Sequence, residues 1–290
     1  MNDYVIITDS SCDLTAEMAQ ELELTVLPLA FNLTGKEYHN YLDGREISFQ
    51  DFYQHIRDGE SCTTSAVNME AFASAMEPVL QSDKDVLCIA FSSGLSNTYN
   101  AAKLACEELA PKYPERKIYA VDTLCASLGE GLLVYLAVQE KRKGKNIVEL
   151  RDWLEENKLH LCHWFTVEDL NHLKRGGRVS AATALIGTML NIKPVLHVDD
   201  AGHLINVGKA RGRRPSLSAL VDHMEETAID PSSQVVFISH GDSQEDANFV
   251  AKEVKRRLGV KTVITNYVGP VIGAHSGPGT IALFFLGTHR

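Results

Sequence analysis

The chain has 290 residues, of which 44% are hydrophobic and 23% charged, a composition that fits a globular protein of one large or two modest domains. Lys plus Arg number 28 against 38 Asp plus Glu, so the formal net charge is -10. That balance argues against a nucleic-acid surface spread over the molecule, because phosphate contacts need local positive charge. The longest apolar runs, Val86–Phe91 and Ala282–Leu286, fall far short of the roughly 20 residues of a membrane span.

Met1-Asn2-Asp3 leads directly into an apolar strand with no basic stretch before it, so no secretory signal is expected. Tyr4–Thr8 is strand-like and ends in Asp9-Ser10-Ser11-Cys12-Asp13-Leu14, where Ser11 or Asp13 is expected to cap the helix predicted at Thr15–Leu22. Thr25–Leu29 is strand-like again. Cys62-Thr63-Thr64-Ser65 precedes a helical run at Met69–Met76 and reads as a loop rich in hydroxyls. Val86–Phe91 is continuously apolar, as a strand buried on both faces of a parallel sheet would be. Ser92-Ser93-Gly94-Leu95-Ser96-Asn97-Thr98-Tyr99 follows it and opens a helix through Leu109. Ile118–Val121 and a helix at Leu128–Lys143 repeat the unit, with Gly129-Glu130-Gly131 small enough to bring that helix close to a sheet. The alternation predicts an α/β fold whose first lobe is a mainly parallel, doubly wound sheet.

After an acidic helix at Val148–Glu156 the texture changes. Lys193–Val198, the turn Asp199-Asp200-Ala201-Gly202 and His203–Gly208 read as a hairpin. A helix near Ser216–Glu226, a buried strand at Val235–His240, a helix near Glu245–Leu258 and a strand at Lys261–Tyr267 complete a second, smaller α/β lobe. The boundary is expected near residue 160, dividing the chain into lobes 1–160 and 161–290 that pack closely and share a cleft. Six cysteines, at 12, 62, 88, 106, 125 and 162, show no C-x-x-C pairing. Neither a metal cluster nor a disulfide framework is expected, and reduced thiols in a cytoplasmic protein fit better.

Loops that follow parallel strands gather at the carboxyl edge of the sheet, where ligands bind. The Ser92–Tyr99 loop offers free N–H groups, hydroxyls and a glycine, a cradle suited to phosphate or carboxylate. It has neither the G-K-S/T of a P-loop nor the spacing of a nucleophile elbow. Leu170–Ser180 crowds three cations around two glycines. Lys209-Ala210-Arg211-Gly212-Arg213-Arg214 sets four cations in six residues and reads as an exposed patch, either solvated or docking an acidic partner. Gly269 to Thr280 surrounds His275 with four glycines and two prolines and is expected to be a rigid loop.

These segments, taken together and in order, resemble the DegV family of bacterial fatty-acid-binding proteins, some of which are the acyl-binding subunit of a fatty acid kinase. The resemblance runs nearly end to end. It is carried by Asp9–Leu14, Thr64-Ser65, Ser92–Tyr99, Leu173–Ser180, Leu190-Asn191-Ile192-Lys193-Pro194, Ile238–Asp242 and Gly269–Thr280. It implies a two-lobe protein with one long-chain fatty acid such as palmitate in the cleft between the lobes, and no other cofactor. The carboxylate would be held by Thr64, by Ser93, Ser96, Asn97 and neighbouring N–H groups, and by His275, with Arg178 near the same end. Lys209, Arg211 and Arg213 would meet the kinase subunit. The chain would have no catalytic residues of its own, no metal, no nucleic-acid partner and no membrane span, with transient contact at a membrane surface still compatible. The sequence departs from the pattern at Ala66, where many members have glutamine, and at Asn97, where many have glycine; both bear on the pocket mouth and the cradle. Leu185, Ile186, Met189 and Leu190 are candidate tunnel residues.

Two other classes remain open from the residues alone. One is a free-standing enzyme, either a hydrolase pairing Ser93 with His275 and Asp9 or a small-molecule phosphotransferase. The other is a DNA-binding regulator using Lys209–Arg214, which lacks any reading-helix motif.

Overall fold

The first strand, β1 (Tyr4–Asp9), is the seed of a parallel sheet in this computed structural model, which describes residues 3–179 and 191–290. Beside it lie β2 (Thr25–Leu27), β6 (Asp85–Ala90) and β7 (Ile118–Asp122), in the order β2-β1-β6-β7 with every pairing parallel. All six residues of β6 are buried, which is why that strand reads as an unbroken apolar run. The crossover helices are α1 (Ala16–Glu21), α3 (Met69–Gln81) and α4 (Thr98–Leu109), followed by α5 (Leu128–Arg142) and α6 (Ile147–Asn157). Side-chain caps set several starts: Thr15 accepts from Met18 N–H at 3.1 Å and Asn68 from Ala71 N–H at 2.8 Å. Neither Ser11 nor Asp13 caps α1. Asp13 instead takes a left-handed conformation at the end of a short turn capped by Asp9.

Between β2 and β6 the chain makes a small antiparallel sheet that the sequence reading did not anticipate. It consists of β3 (Ala30–Leu33), β4 (Lys36–His39) and β5 (Cys62–Ser65), in the order β4-β3-β5. The Cys62–Ser65 segment is therefore a strand and not a loop. Helix α2 (Phe49–Arg57) joins β4 to β5 and buries Phe52, Tyr53 and Ile56.

The second sheet has six strands: β8 (Leu161–Thr166), β9 (Ile192–Val198), β10 (Leu204–Arg211), β11 (Val235–His240), β12 (Thr262–Tyr267) and β13 (Ile281–Leu286). Their order is β10-β9-β8-β13-β11-β12, and only β11 and β12 run parallel. This mixed sheet is wider than the four-stranded parallel one, although it is built from a shorter stretch of chain. Three helices belong to it beside α7 (Leu170–Arg175): α8 (Arg213–Thr227), α9 (Gln244–Leu258) and α10 (Pro270–Ser276). Two of these correct the sequence reading. Leu170–Arg175 is helical before its two glycines turn the chain. The Gly269–Thr280 segment is not all loop, because Pro270 occupies the first helical position, where its missing N–H costs nothing.

One apolar cluster joins Leu87 and Val121 of the parallel sheet, Leu132 and Leu133 of α5, and Phe237 and Phe284 of the second sheet. The two sheets thus share a core through α5. Gly129 faces His163 and Phe284, and Gly131 faces the Cys12 carbonyl, so closely that a Cβ at either would collide. The small residues of that segment do bring helix and sheet together. At the edge, the tip of the β9–β10 hairpin touches the Ser92–Ser96 loop, where Ser92 Oγ donates to the Gly202 carbonyl at 3.0 Å. All six cysteines are free thiols. Ser180 and the candidate tunnel residues Leu185, Ile186, Met189 and Leu190 lie outside the described residues.

Candidate functional site

A cleft of about 930 Å³, including its open mouth, lies where the two sheets meet. Its wall is mainly apolar, drawn from both sides of the molecule: Leu29 and Phe91 from the first, Phe165, Val198 and Phe284 from the second.

One end of the cleft is polar. Thr64 lies opposite Phe31 in the β3–β5 pairing and is half-buried, while its neighbours Thr63 and Ser65 are exposed, Ser65 also lining the cleft. His275 comes from the last turn of α10, and its Nε2 lies 2.8 Å from Thr64 Oγ1. The other face of the imidazole rests on Gly176, where a Cβ would collide with Nδ1. Thr64 and His275, 211 residues apart in sequence, are thus brought into contact in one cleft. Burial, aided by the charge of Arg178, pushes the His275 pKa down to about 4, so its ring is neutral near pH 7.

Arg178 lines the same end. Its Nε and Nη2 donate to the Leu95 carbonyl at 3.2 and 3.1 Å, and Nη1 donates to the Gly176 carbonyl. It therefore holds the Ser92–Ser96 loop against the Gly176 turn and keeps a positive charge beside His275. Ser96 and Asn97 also line the cleft. Ser96 Oγ lies 2.9 Å from Thr98 Oγ1 and accepts from Thr98 N–H at 3.2 Å. Asn97 is exposed at the start of α4, its side chain bonded to Asn100 rather than capping the helix. Ala66 lines the wall as well.

Ser93 differs from expectation. It is exposed, does not line the cleft, and its N–H is taken by Asp122 Oδ1 at 3.1 Å. The loop turns at Ser92 to meet the hairpin tip, and that turn points Ser93 outward. The Ser93–His275–Asp9 line of a hydrolase is accordingly not formed. The Asp9 carboxyl instead accepts backbone N–H groups of Ser11 and Phe91, each at 2.9 Å.

Behind Thr64 and His275 a second, polar crevice opens toward solvent. It is lined by Thr63, His172 and Arg175, and shares Thr64, Arg178 and His275 with the apolar cleft. The Thr64–His275 pair thus stands between an apolar chamber and a polar vestibule whose charged side chains are Arg175, Arg178 and Glu60.

Elsewhere in the apolar wall stand polar groups that the sequence reading missed. Ser127 Oγ lies 2.5 Å from Asp13 Oδ2 and 2.9 Å from Ser239 Oγ, and Ser127, Ser239 and Ser276 all line the cleft. Next to them Asp9, Asp13 and Glu130 are buried, with no cation among their hydrogen-bond partners in the described residues. Burial pushes Asp13 up to about 8 and Asp9 up to about 6, and raises Glu130 well above the usual carboxylate range. Their protonated forms are the ones the interior tolerates.

The cationic stretch splits. Lys209 and Arg211 are exposed on edge strand β10. Arg213 is not exposed as expected: its Nε pairs with Asp246 at 2.8 Å and Glu168 at 3.2 Å, and Nη2 donates to the Gly279 carbonyl at 2.5 Å. It ties α8 to α9 and to the turn after α10. Arg214 sits over the Phe249 ring at 4.4 Å. Among the described residues no group of three His, Cys, Asp or Glu could hold a metal ion, and no helix is long and apolar enough to cross a membrane.

The fold is a three-sheet α/β architecture with an apolar chamber that ends in a hydroxyl, an imidazole and a guanidinium. The chain belongs to the DegV family, whose model, described as an uncharacterised protein family, matches residues 3–288. A DegV domain-containing protein of Clostridium perfringens is 46% identical over 287 residues, 99% of this chain and 98% of the relative. Among solved structures, a DegV family protein from Thermus thermophilus, described by its fatty acid binding, has a TM-score of 0.87 and 30% identity, covering 99% of this chain and 100% of that one. A DegV lipid binding protein from Thermotoga maritima has a TM-score of 0.87 and 28% identity, covering 99% of both chains. In fold alone the chain is also similar to the fatty acid kinase (Fak) B3 protein of Streptococcus pneumoniae, loaded with linoleic acid, at 18% identity and a TM-score of 0.83 over 98% of this chain and 99% of that one.

Proposed function

We propose that the protein binds one long-chain fatty acid, palmitate or a near relative, with its tail in the apolar chamber and its carboxylate at Thr64 and His275. The observation that carries the reading is the 2.8 Å contact between Thr64 and His275 at the end of the chamber that opens on the polar, arginine-lined vestibule. With the His275 Nε2 proton donated to Thr64 Oγ1, the threonine hydroxyl is free to donate to a carboxylate. Ser96 and Asn97 supply further donors, and Arg178 supplies charge without direct contact. A buried acyl tail contributes about 0.8 kcal/mol per methylene, so a 16-carbon chain supplies on the order of 10 kcal/mol before ordering costs. The polar end fixes orientation.

In this reading the protein is a carrier, cytoplasmic and without other cofactor, with residues 1–160 and 161–290 as the lobes that clasp the ligand. It presents the carboxylate through the vestibule to a separate kinase subunit for acyl-phosphate formation. Lys209 and Arg211 are the cations placed to steer that partner. Native mass spectrometry of protein purified without added lipid tests the core of the reading. One fatty acid per chain supports it. A bare chain that also fails to take up palmitate or oleate refutes it.

A further inference from the structure

Val271, Ile272, His275 and Ser276 follow one another in α10 at steps of one and three, and all four line the chamber. That spacing is one face of a helix. An acyl tail and a carboxylate account for the first three. They do not account for Ser276, which is 4% exposed and whose Oγ has no hydrogen-bond partner among the described residues. A buried hydroxyl facing only methylenes is a cost without return.

A second pair of hydroxyls stands at the other end of the same helix. Gly269, just before α10, lies so close to Asp13 that a Cβ there would sit 2.5 Å from Oδ1, and Asp13 holds Ser127, which holds Ser239. Ser127 has φ +55° and ψ -145°, a conformation that residues other than glycine rarely adopt. It precedes the first turn of α5 yet makes no capping bond there. The strained backbone directs its Oγ to Asp13 and the chamber wall instead.

A saturated or unsaturated hydrocarbon chain offers these hydroxyls nothing, since neither a methylene nor a double bond is a useful hydrogen-bond partner. A keto oxygen only accepts. A hydroxyl can do either for the unpartnered Ser276, and can accept from the Ser239 O–H that its bond with Ser127 leaves over. Resting on the fatty acid reading above, we infer that the chamber is built to select a hydroxylated acyl chain: a hydroxy fatty acid whose in-chain oxygen bonds Ser276 when it lies near the carboxyl end, and Ser239 when it lies about a helix length further along.

The experiment titrates delipidated protein with palmitate and with its positional hydroxy isomers, in the wild type, Ser276→Ala and Ser276→Thr. At least one isomer hydroxylated near the carboxyl end should bind wild type about tenfold more tightly than palmitate. Ser276→Ala should abolish that preference and leave palmitate within about twofold, which also shows that the variant is folded; Ser276→Thr should keep the preference. If no isomer outbinds palmitate, the inference falls while the fatty acid reading stands. If Ser276→Ala weakens palmitate and hydroxy acids alike, Ser276 belongs to the carboxylate grip and the inference again falls. If neither class binds wild type, the underlying reading fails first.

Discussion

Replacing Thr64 by valine removes one oxygen and almost nothing else. Valine keeps the branched shape that suits a strand, so β5 should still pair with β3 opposite Phe31. What is lost is the hydroxyl that lies 2.8 Å from His275 Nε2 and that, in the proposed function, donates to the carboxylate. A hydrogen bond to a charged group is worth about 1.5–3 kcal/mol net, which is roughly tenfold to a hundredfold in Kd. Thr64 is half-buried beside an open vestibule, so the lower half of that range is expected. Isothermal titration of delipidated protein with palmitate measures it, and the apo protein should lose about 0.5–1.5 kcal/mol of stability in urea unfolding, because His275 loses its partner. Because the two side chains touch, Thr64→Val and His275→Gln should not add, with a coupling above about 0.5 kcal/mol in a double-mutant cycle. Unchanged palmitate affinity in Thr64→Val would remove Thr64 from the site. Strict additivity with His275→Gln would show that the pair does not act as a unit.

Further outcomes can be checked separately. Lys209→Glu with Arg211→Glu should leave palmitate affinity within about twofold but sharply reduce acyl-phosphate formation with a cognate kinase subunit and ATP, while wild-type activity falls as salt rises; full activity of the double variant would make the two cations only protectors of an exposed strand edge. Arg213→Ala should lower stability, by about 1–3 kcal/mol in urea unfolding, because Asp246 and Glu168 lose their shared cation; an unchanged midpoint would show that the ion pairs do not hold α8 to α9. The Asp13 carboxyl keeps its proton to about pH 8 when folded and loses it near pH 4 when unfolded. Its contribution therefore makes stability fall as pH rises through that window, by up to about 1.4 kcal/mol per unit, with buried Asp9 and Glu130 acting in the same direction. Asp13→Asn should flatten the pH dependence of the urea midpoint, and an identical slope would contradict the assignment.

The parallel half of the molecule was legible because a strand buried on both faces must be apolar throughout, as Val86–Ala90 and Val235–Ile238 are. The hairpin of β3 and β4 had a signal that went unread: Thr34-Gly35 both take positive φ, at 50° and 88°, as the tight turn between antiparallel strands requires. Helix α10 was hidden by its glycines. Gly273 lies against the Tyr53 hydroxyl, where no side chain fits, so its presence reflects tertiary packing and not the lack of a helix. Thr64 and His275 were found through the family resemblance. Ser93 was misplaced because three serines stand in one short loop and only the fold decides which one faces the ligand. Ser127, Ser239 and Ser276 could not be singled out by spacing: they come from three separate elements, and each looks like an ordinary surface or capping residue in sequence.

The chamber wall is divided between two sheets that are themselves pinned together, at the rim by Ser92 and Gly202 and in depth by α5. Filling the chamber and holding the sheets together are then two descriptions of one equilibrium. A ligand present at a hundred times its Kd stabilises the folded form by about 2.7 kcal/mol, on the order of 5 °C or more in melting temperature for a chain of this size. The melting curve of a purified batch should therefore act as a gauge of its lipid load. Two batches of identical sequence that melt at different temperatures would differ in cargo, and a biphasic curve would report the fraction of molecules that left the cell full.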